Sequence, residues 1–413
     1  PGTGKTTLII KLILELLQVD NFLNIGLSAP TGKATARLKE ALNDKKNISF
    51  SKFLDQIEFQ TLHRWILNSQ NKSLKLKFKL KELDIFIIDE MSMVNIDLIE
   101  SVLNLLAKDC KIILVGDKNQ LSPVNNCSIW NYLFEYGDNS SIKSCVVNLE
   151  KTYRNIGDIA LISSLIFNND FTLLNQKIKE LEKDNNSKEI TISKSREKDI
   201  PKDLLFSITS HLKQLNISTS NLSKKKYIFD ESIDNLLLNE KDLVDKIFLD
   251  LQSHLILCEK NSGIWSVEYL NEIVFGQKKP YDLKTLNEGV PIMCTKNNNE
   301  LGLSNGDIGV IIGLKNKRKY LFRKFNDNNE EIVALIDPSN LENVVPAIAI
   351  TIHKSQGSES EKVNILWSQN YRRNQYAAKE KKDNQNIFCR DNFERRLFYT
   401  AVTRAKKSLN IYY

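Results

Sequence analysis

Through its first 150 residues the chain repeats one pattern three times: a short apolar run closes in small or acidic residues, and an amphipathic stretch follows. Apolar runs bounded by turn signals read as strands and amphipathic stretches as helices, so their alternation predicts a parallel sheet flanked by helices, an α/β fold. The expected strands end at Leu27-Ser28, at Phe86-Ile87-Ile88 and at Ile112-Ile113-Leu114-Val115. Each runs straight into a loop of chemically capable residues. A parallel sheet collects such loops on its carboxyl edge, where open α/β folds bind ligands.

From Asn155 to about Asp245 the chain is polar, helix-like and rich in Lys, Asn and Ser, and it is expected to be a variable helical connector over 151–245. Strand-like runs return from Ser253. Between Asp307 and Asp337 short alternating apolar segments are broken by Gly309, Gly313 and the turn-forming Asn326 to Asn329, which predicts a small antiparallel β insertion at about 281–345. A polar run between Trp367 and Glu394, with Lys379 to Lys382, reads as a surface loop. The expected organisation is a first domain over 1–150, the connector, and a second domain over 246–413 that carries the insertion.

The 413 residues are 41% hydrophobic and 26% charged, enough apolar material for two or three cores. No apolar run approaches the roughly 20 residues of a membrane span, and no signal segment opens the chain, so a soluble cytoplasmic protein without a membrane partner is expected. Six cysteines, Cys110, Cys127, Cys145, Cys258, Cys294 and Cys389, are scattered without a CxxC pair and read as reduced and structural. The net charge of +7 suits a polyanion, but Lys and Asn are abundant everywhere, and charge alone leaves nucleic acid an open question.

The chemistry begins at the first residues, Pro1-Gly2-Thr3-Gly4-Lys5-Thr6-Thr7, followed by the apolar-periodic run Leu8 to Leu14. In a phosphate-binding loop, glycines expose backbone N–H groups to phosphates, a lysine reaches the β and γ oxygens, and a hydroxyl holds Mg²⁺. Gly2, Thr3, Gly4, Lys5, Thr6 and Thr7 are therefore expected to bind ATP, with Thr6 on the metal. The motif's first glycine would fall two positions ahead of Pro1, so the chain is expected to start inside the loop. Next, the strand Ile85 to Ile88 ends in Asp89-Glu90. Phosphoryl transfer to water needs an acid that organises the metal and a group that orients the water; Asp89 is assigned the first role and Glu90 the second. An isolated Asp-Glu at a strand end is commonly just solvated, but its place after a phosphate-binding loop favours catalysis. A third strand leads into Gly116-Asp117-Lys118-Asn119-Gln120, and the neutral amide of Gln120 can bond both the γ-phosphate and the attacking water.

With these residues in place the chain resembles superfamily 1 helicases, motif by motif and in order. Ala29 to Leu38 looks like motif Ia, Thr61-Leu62-His63-Arg64 like Ib, Asp89 to Val94 like II, and Gly116 to Val124 like III. Tyr153-Arg154 resembles IV, Thr351 to Glu359 resembles V, and Tyr399 to Ala405 resembles VI. The wording is closest to the RecD family, notably in Gly302 to Gly309 and Val267 to Glu272.

That resemblance implies two RecA-like P-loop domains holding ATP between them, an SH3-like insertion in the second, and 5′-to-3′ translocation on single-stranded DNA. It implies work beside RecB and RecC partner subunits at double-stranded DNA ends, in break repair and recombination. It also implies site residues. Arg154 and Arg404 would place guanidinium groups on the transferring phosphate, with Gly357 and Glu359 beside the nucleotide. Pro30, Thr31, His63, Thr351 and His353 would lie on the strand, which such motors hold by phosphates and base faces without sequence readout, with Lys33 and Lys354 adding charge.

Three departures stand out. Ser360 takes the place of an aromatic, the polar run before motif VI is long, and the segment through which RecD-like subunits are expected to dock on RecC would lie ahead of Pro1. Two alternatives stay open on sequence. One is a stand-alone helicase of the same branch; the other is a nucleotide-binding subunit that clamps DNA without turnover, against which the intact Lys5, Asp89, Glu90, Gln120, Arg154 and Arg404 argue. No carboxylate-and-lysine cluster suggests a nuclease site in this chain.

Overall fold

The structure, a computed structural model, describes residues 3–43, 53, 56–70, 77–122, 130, 133, 144–149, 157–183, 189–195, 199–225, 240–298, 300–313, 317–325, 331–368, 389 and 391–413. The chain divides into two compact units, Pro1–Arg154 and Asn155–Tyr413. Each is described by itself.

In the first unit, strands β1 (Ile25–Ala29), β2 (Ile57–Thr61), β3 (Ile85–Ile88) and β4 (Lys111–Leu114) form a wholly parallel sheet in the order β2-β1-β3-β4. Every residue of β1 and β3 is buried, as expected of strands covered on both faces. Helices α1 (Lys5–Val19) and α2 (Gly32–Asn43) cover one face, where Ile9, Ile13, Leu17 and Leu38 pack with Leu27 and Ile87. On the other face Trp65 of α3 (Leu62–Gln70) and Val102 of α4 (Ile96–Leu103) pack with Phe86 and Ile88. The Trp65 and Phe86 rings meet edge to face at 5.6 Å. Strand β2 lies outside the three expected strands; Glu58 and Gln60 interrupt its apolar positions.

In chain order the second unit runs through α5 (Asp158–Phe167), α6 (Phe171–Lys183), β5 (Ile190–Ser193), α7 (Lys202–Ser223), α8 (Lys241–Ser253), β6 (His254–Cys258) and α9 (Val267–Phe275). It continues through β7 (Pro291–Cys294), β8 (Ile308–Ile312), β9 (Lys319–Phe325), β10 (Glu331–Ile336), β11 (Val344–Pro346), β12 (Ile350–Thr351), β13 (Ser360–Leu366), α10 (Asn392–Val402) and β14 (Ala405–Tyr412). Strands β12-β6-β13-β14-β5 make a second parallel sheet.

The stretch read as a connector over 151–245 departs from that expectation, because from Asn155 onward it belongs to the second unit. Strand β5 pairs with β14 at the sheet's edge. Helix α7 buries Leu204, Ile208, Leu215 and Leu222, an apolar stripe at helical spacing set among lysines and serines. Over 291–346, strands β10-β9-β8-β7-β11 form the antiparallel sheet expected at about 281–345. One face encloses Ile292, Ile311, Phe322 and Ile336. The other sets Val310, Ile312, Leu321 and Val333 against Leu222 of α7 and Val244, Ile247 and Phe248 of α8. Polar contacts fasten the same seam. The Glu288 carboxylate accepts from Ser220 Oγ at 3.1 Å, from Gly313 N at 2.9 Å and from Ser223 Oγ, while Arg323 pairs with Asp245 and lies 4.6 Å over the Phe248 ring.

Gly289 sits in this seam with φ +88°, and a Cβ there would lie 2.5 Å from the Asn216 backbone nitrogen. Positive φ costs an L-residue about 1 kcal/mol and overpacking about 1–3 more, so Gly289→Ala should lose about 2–4 kcal/mol of stability, read as a lowered denaturation midpoint. A second prediction concerns His211 and His254, whose rings meet at 4.9 Å between α7 and the sheet. Burial pushes His211 down to about 4; burial and then the charges of His211 and Lys362 push His254 down to about 3. Both are held neutral when folded, so the unfolded chain binds more protons below its ordinary value of about 6.5. Their contribution is complete above about pH 6.5 and is lost as pH falls from there toward those folded values. The urea midpoint should drop between pH 7.5 and 5.0 by less in His211→Gln than in the unsubstituted protein.

Candidate active site

Lys5 opens α1 immediately after Gly4, whose φ of 80° and ψ of 18° turn the loop sharply into the helix. No side chain caps this end, so the first-turn N–H groups are left for an anion. Thr3, Gly4, Lys5 and Thr6 are partly buried, whereas Thr7 is exposed. Gly2 lies outside the described residues.

Asp89 follows β3 directly, its N–H bonded to Ser28 O at 2.9 Å. Glu90 then takes φ 54° and ψ 40°, a left-handed conformation rare for a non-glycine residue and of the kind that collects at functional sites. This reversal lets Glu90 N donate to Asp89 Oδ1 at 2.8 Å, and Met91 N to Val115 O at 3.0 Å. Burial and the Glu90 charge push the Asp89 carboxyl up to about 6, against the pull of the Glu90 N–H and of Lys5. The Lys5 ammonium thus only partly offsets the burial of this acid and its acidic neighbour.

Beyond β4, Asp117 is buried and accepts from Asn119 N at 3.1 Å. The Lys5 ammonium acts on both Asp89 and Asp117, so one lysine serves two strand-end acids. Sequence reasoning left Asp117 unassigned; a Gly-Asp step directly after an apolar strand is the signal that would have found it. Gln120 is 4% exposed, and its Oε1 is buried with no hydrogen-bond partner among the described residues. A buried amide oxygen left unbonded is costly, which suits a group that awaits a donor from outside the protein.

The loops expected on DNA have a structural duty in the fold. Thr31 caps α2, its Oγ1 accepting from Ala34 N at 3.3 Å, and Thr61 does the same for α3 through Arg64 N at 3.4 Å. Pro30 is partly buried, and His63 is exposed in the first turn of α3.

In the second unit, Thr351 ends β12 and His353 lies in the short 3₁₀ turn Ile352–Ser355 that follows. Gly357 is buried at φ +70°. Glu359 pairs with Lys406 at 3.5 Å. The Arg404 guanidinium, 3% exposed, donates to Thr400 O at 3.0 Å, to Ser358 O at 3.1 Å and to Thr403 Oγ1 at 3.3 Å. It thus ties the motif V loop to the end of the motif VI helix. Ser360 is buried at the start of β13, where its Oγ donates to Lys362 O at 3.1 Å. Arg154 lies outside the described residues.

A phosphate-binding loop entering a helix, beside two strand-end acids and an amide on a parallel sheet, defines a P-loop ATPase, and two family models agree. An AAA domain matches residues 1–126, and a UvrD-like helicase C-terminal domain matches residues 315–413. Among relatives, the RecBCD enzyme subunit RecD of Buchnera aphidicola subsp. Schizaphis graminum is 31% identical over 457 residues, covering 100% of this chain and 69% of that protein. The subunit of the same name from Buchnera aphidicola subsp. Acyrthosiphon pisum is 29% identical, with 100% and 68% covered, and that of Haemophilus influenzae 28% identical, with 100% and 65% covered. The chain therefore spans about two thirds of these relatives' length. Of solved structures, Bacteroides Pif1 bound to ssDNA is similar at 18% identity and a TM-score of 0.46, covering 100% of this chain and 86% of that one. The chain belongs to the RecD family of superfamily 1 helicases, and it is an ATP-dependent DNA helicase. No helix among the described residues is long and apolar enough to cross a membrane.

Thr31→Ala should cost the first unit about 1 kcal/mol through loss of the helix cap, measured by chemical denaturation, whereas Thr31→Ser should keep the cap and stay near the unsubstituted stability.

Proposed function

We propose that this chain is the motor of a RecBCD-type complex in the cytoplasm, stepping 5′ to 3′ along single-stranded DNA at double-stranded ends, with RecB and RecC as partners. The observation that carries its motor chemistry is the strand-end group in the first unit. Lys5 acts on both Asp89 and Asp117, and beside this edge Gln120 keeps a buried, unbonded amide oxygen.

In this reading Gly2, Thr3 and Gly4 offer backbone N–H groups to the phosphates, Lys5 holds the γ-phosphate, and Thr7 flanks them at the helix start. Thr6 and Asp89 would hold Mg²⁺, which supplies positive charge to the phosphate oxygens. The raised Asp89 carboxyl fits that assignment, because a cation would restore its ionised form. Glu90 orients the water, and Gln120 bonds both water and γ-phosphate. Arg154 and Arg404 stabilise the transferring charge, the latter only after giving up its bonds to Ser358 and Thr400. Gly357 and Glu359 line the nucleotide from motif V. Pro30, Thr31, His63, Thr351 and His353 contact the strand.

The test is steady-state ATP hydrolysis by the full-length protein with and without single-stranded DNA. Hydrolysis should be strongly DNA-stimulated, and Lys5→Gln should lower kcat at least about a hundredfold, with Gln120→Ala lowering it by a similar order. Tailed duplexes should be opened from a 5′ overhang and not from a 3′ one. DNA binding without turnover would overturn the motor in favour of a clamp.

A further inference from the structure

Beside the motif V histidine stands an aromatic side chain outside every helicase motif. Phe393 occupies the first turn of α10, fixed there by Asp391, whose carboxylate caps the helix by accepting from Glu394 N at 2.7 Å. Leu397, Phe398, Tyr399 and Val402 of the same helix are buried, yet Phe393 remains 43% exposed. Its ring lies 6.0 Å from that of His353 with the planes inclined by only 32°. The two rings are tilted toward each other rather than edge to face, which puts an exposed aromatic side chain next to the motif V histidine.

Cations stand at the same place. Lys354 follows His353 directly; partial burial, and then the Lys279 ammonium, hold its own ammonium below the ordinary lysine range. Lys279 is itself paired with Glu268 at 2.6 Å, leaving Lys354 the better placed of the two to accept a new anion. Burial lowers His353 as well, so its ring stays neutral near pH 7 and stacks without charge. Aromatic faces for bases beside ammonium groups for phosphates are what proteins combine to grip a single strand regardless of sequence.

We propose that Phe393 stacks on a base of single-stranded DNA, extending a platform begun by His353, while Lys354 holds a neighbouring phosphate. This rests on the single-strand reading of the motif V loop above and adds a contact outside the helicase motifs. The competing role for Phe393 is simple apolar cover for His353. Leucine would provide that cover and lacks a π-face.

The experiment is fluorescence-anisotropy binding by the full-length protein to labelled oligothymidylate and to an abasic strand of equal length. Phe393→Leu should weaken oligothymidylate binding about tenfold while binding to the abasic strand holds, and Phe393→Trp should restore it. Lys354→Gln should weaken both strands and reduce the slope of log affinity against log salt by about 0.7. No loss with Phe393→Leu, or an equal loss on both strands, overturns the stacking role, and an unchanged salt slope overturns the phosphate role. If the unsubstituted protein binds neither strand, the single-strand reading itself falls, an outcome distinct from either.

Discussion

Backbone hydrogen bonds that run past the strand ends hold the chemistry of the first unit in place. Asp89 N reaches Ser28 O at 2.9 Å, Val115 N reaches Ile88 O at 2.8 Å, and Met91 N reaches Val115 O at 3.0 Å. These bonds carry the register of β1, β3 and β4 one or two residues into the loops, so the acids sit on an extension of the sheet. Such fixing matters because a catalytic group misplaced by about 1 Å can cost orders of magnitude in rate. The left-handed Glu90 is the local strain that this lattice sustains.

How legible the protein was in its sequence depended on how far each signal reached. The strands buried on both faces announce themselves, because Ile85 to Ile88 is apolar without a break. The loops after them stood out because particular residues at fixed spacing are the pattern a phosphate site would need. Strand β2 was not, since Ile57-Glu58-Phe59-Gln60-Thr61 mixes polar residues into an edge strand. The stretch that holds α7 read as helical, but strand β5 within it did not show, since four residues with two apolar positions make a strand only through the partner they cover. Asp117 carried a local signal, the Gly-Asp step after an apolar strand, but its burial, which sets it apart, comes from the neighbouring strands. The bonds of Arg404 to Ser358 and Thr400 join segments more than forty residues apart in one case, and no local pattern encodes such a meeting.

The threonines of the first unit show that a motif residue can have a structural reason for being where it is. Thr31 and Thr61 each follow a strand and begin a helix, and their hydroxyls accept the N–H groups that helix starts leave open. The same position faces the sheet's carboxyl edge, where ligands gather. A substitution at either threonine therefore acts first on the helix start, unless the new side chain preserves the cap.

The small antiparallel sheet of the second unit looks in outline like an ornament added to a complete domain. Its outer face is nevertheless the roof over Leu222, Val244, Ile247 and Phe248. Cutting out β7 to β11 would turn those four side chains to water, at about 25 cal/mol for each Å² uncovered, and would strip Arg323 from Asp245. Helices α7 and α8 would become sticky surfaces that invite association with other chains. A minimal motor whittled from this protein must keep the insertion or repaint both helices with polar residues.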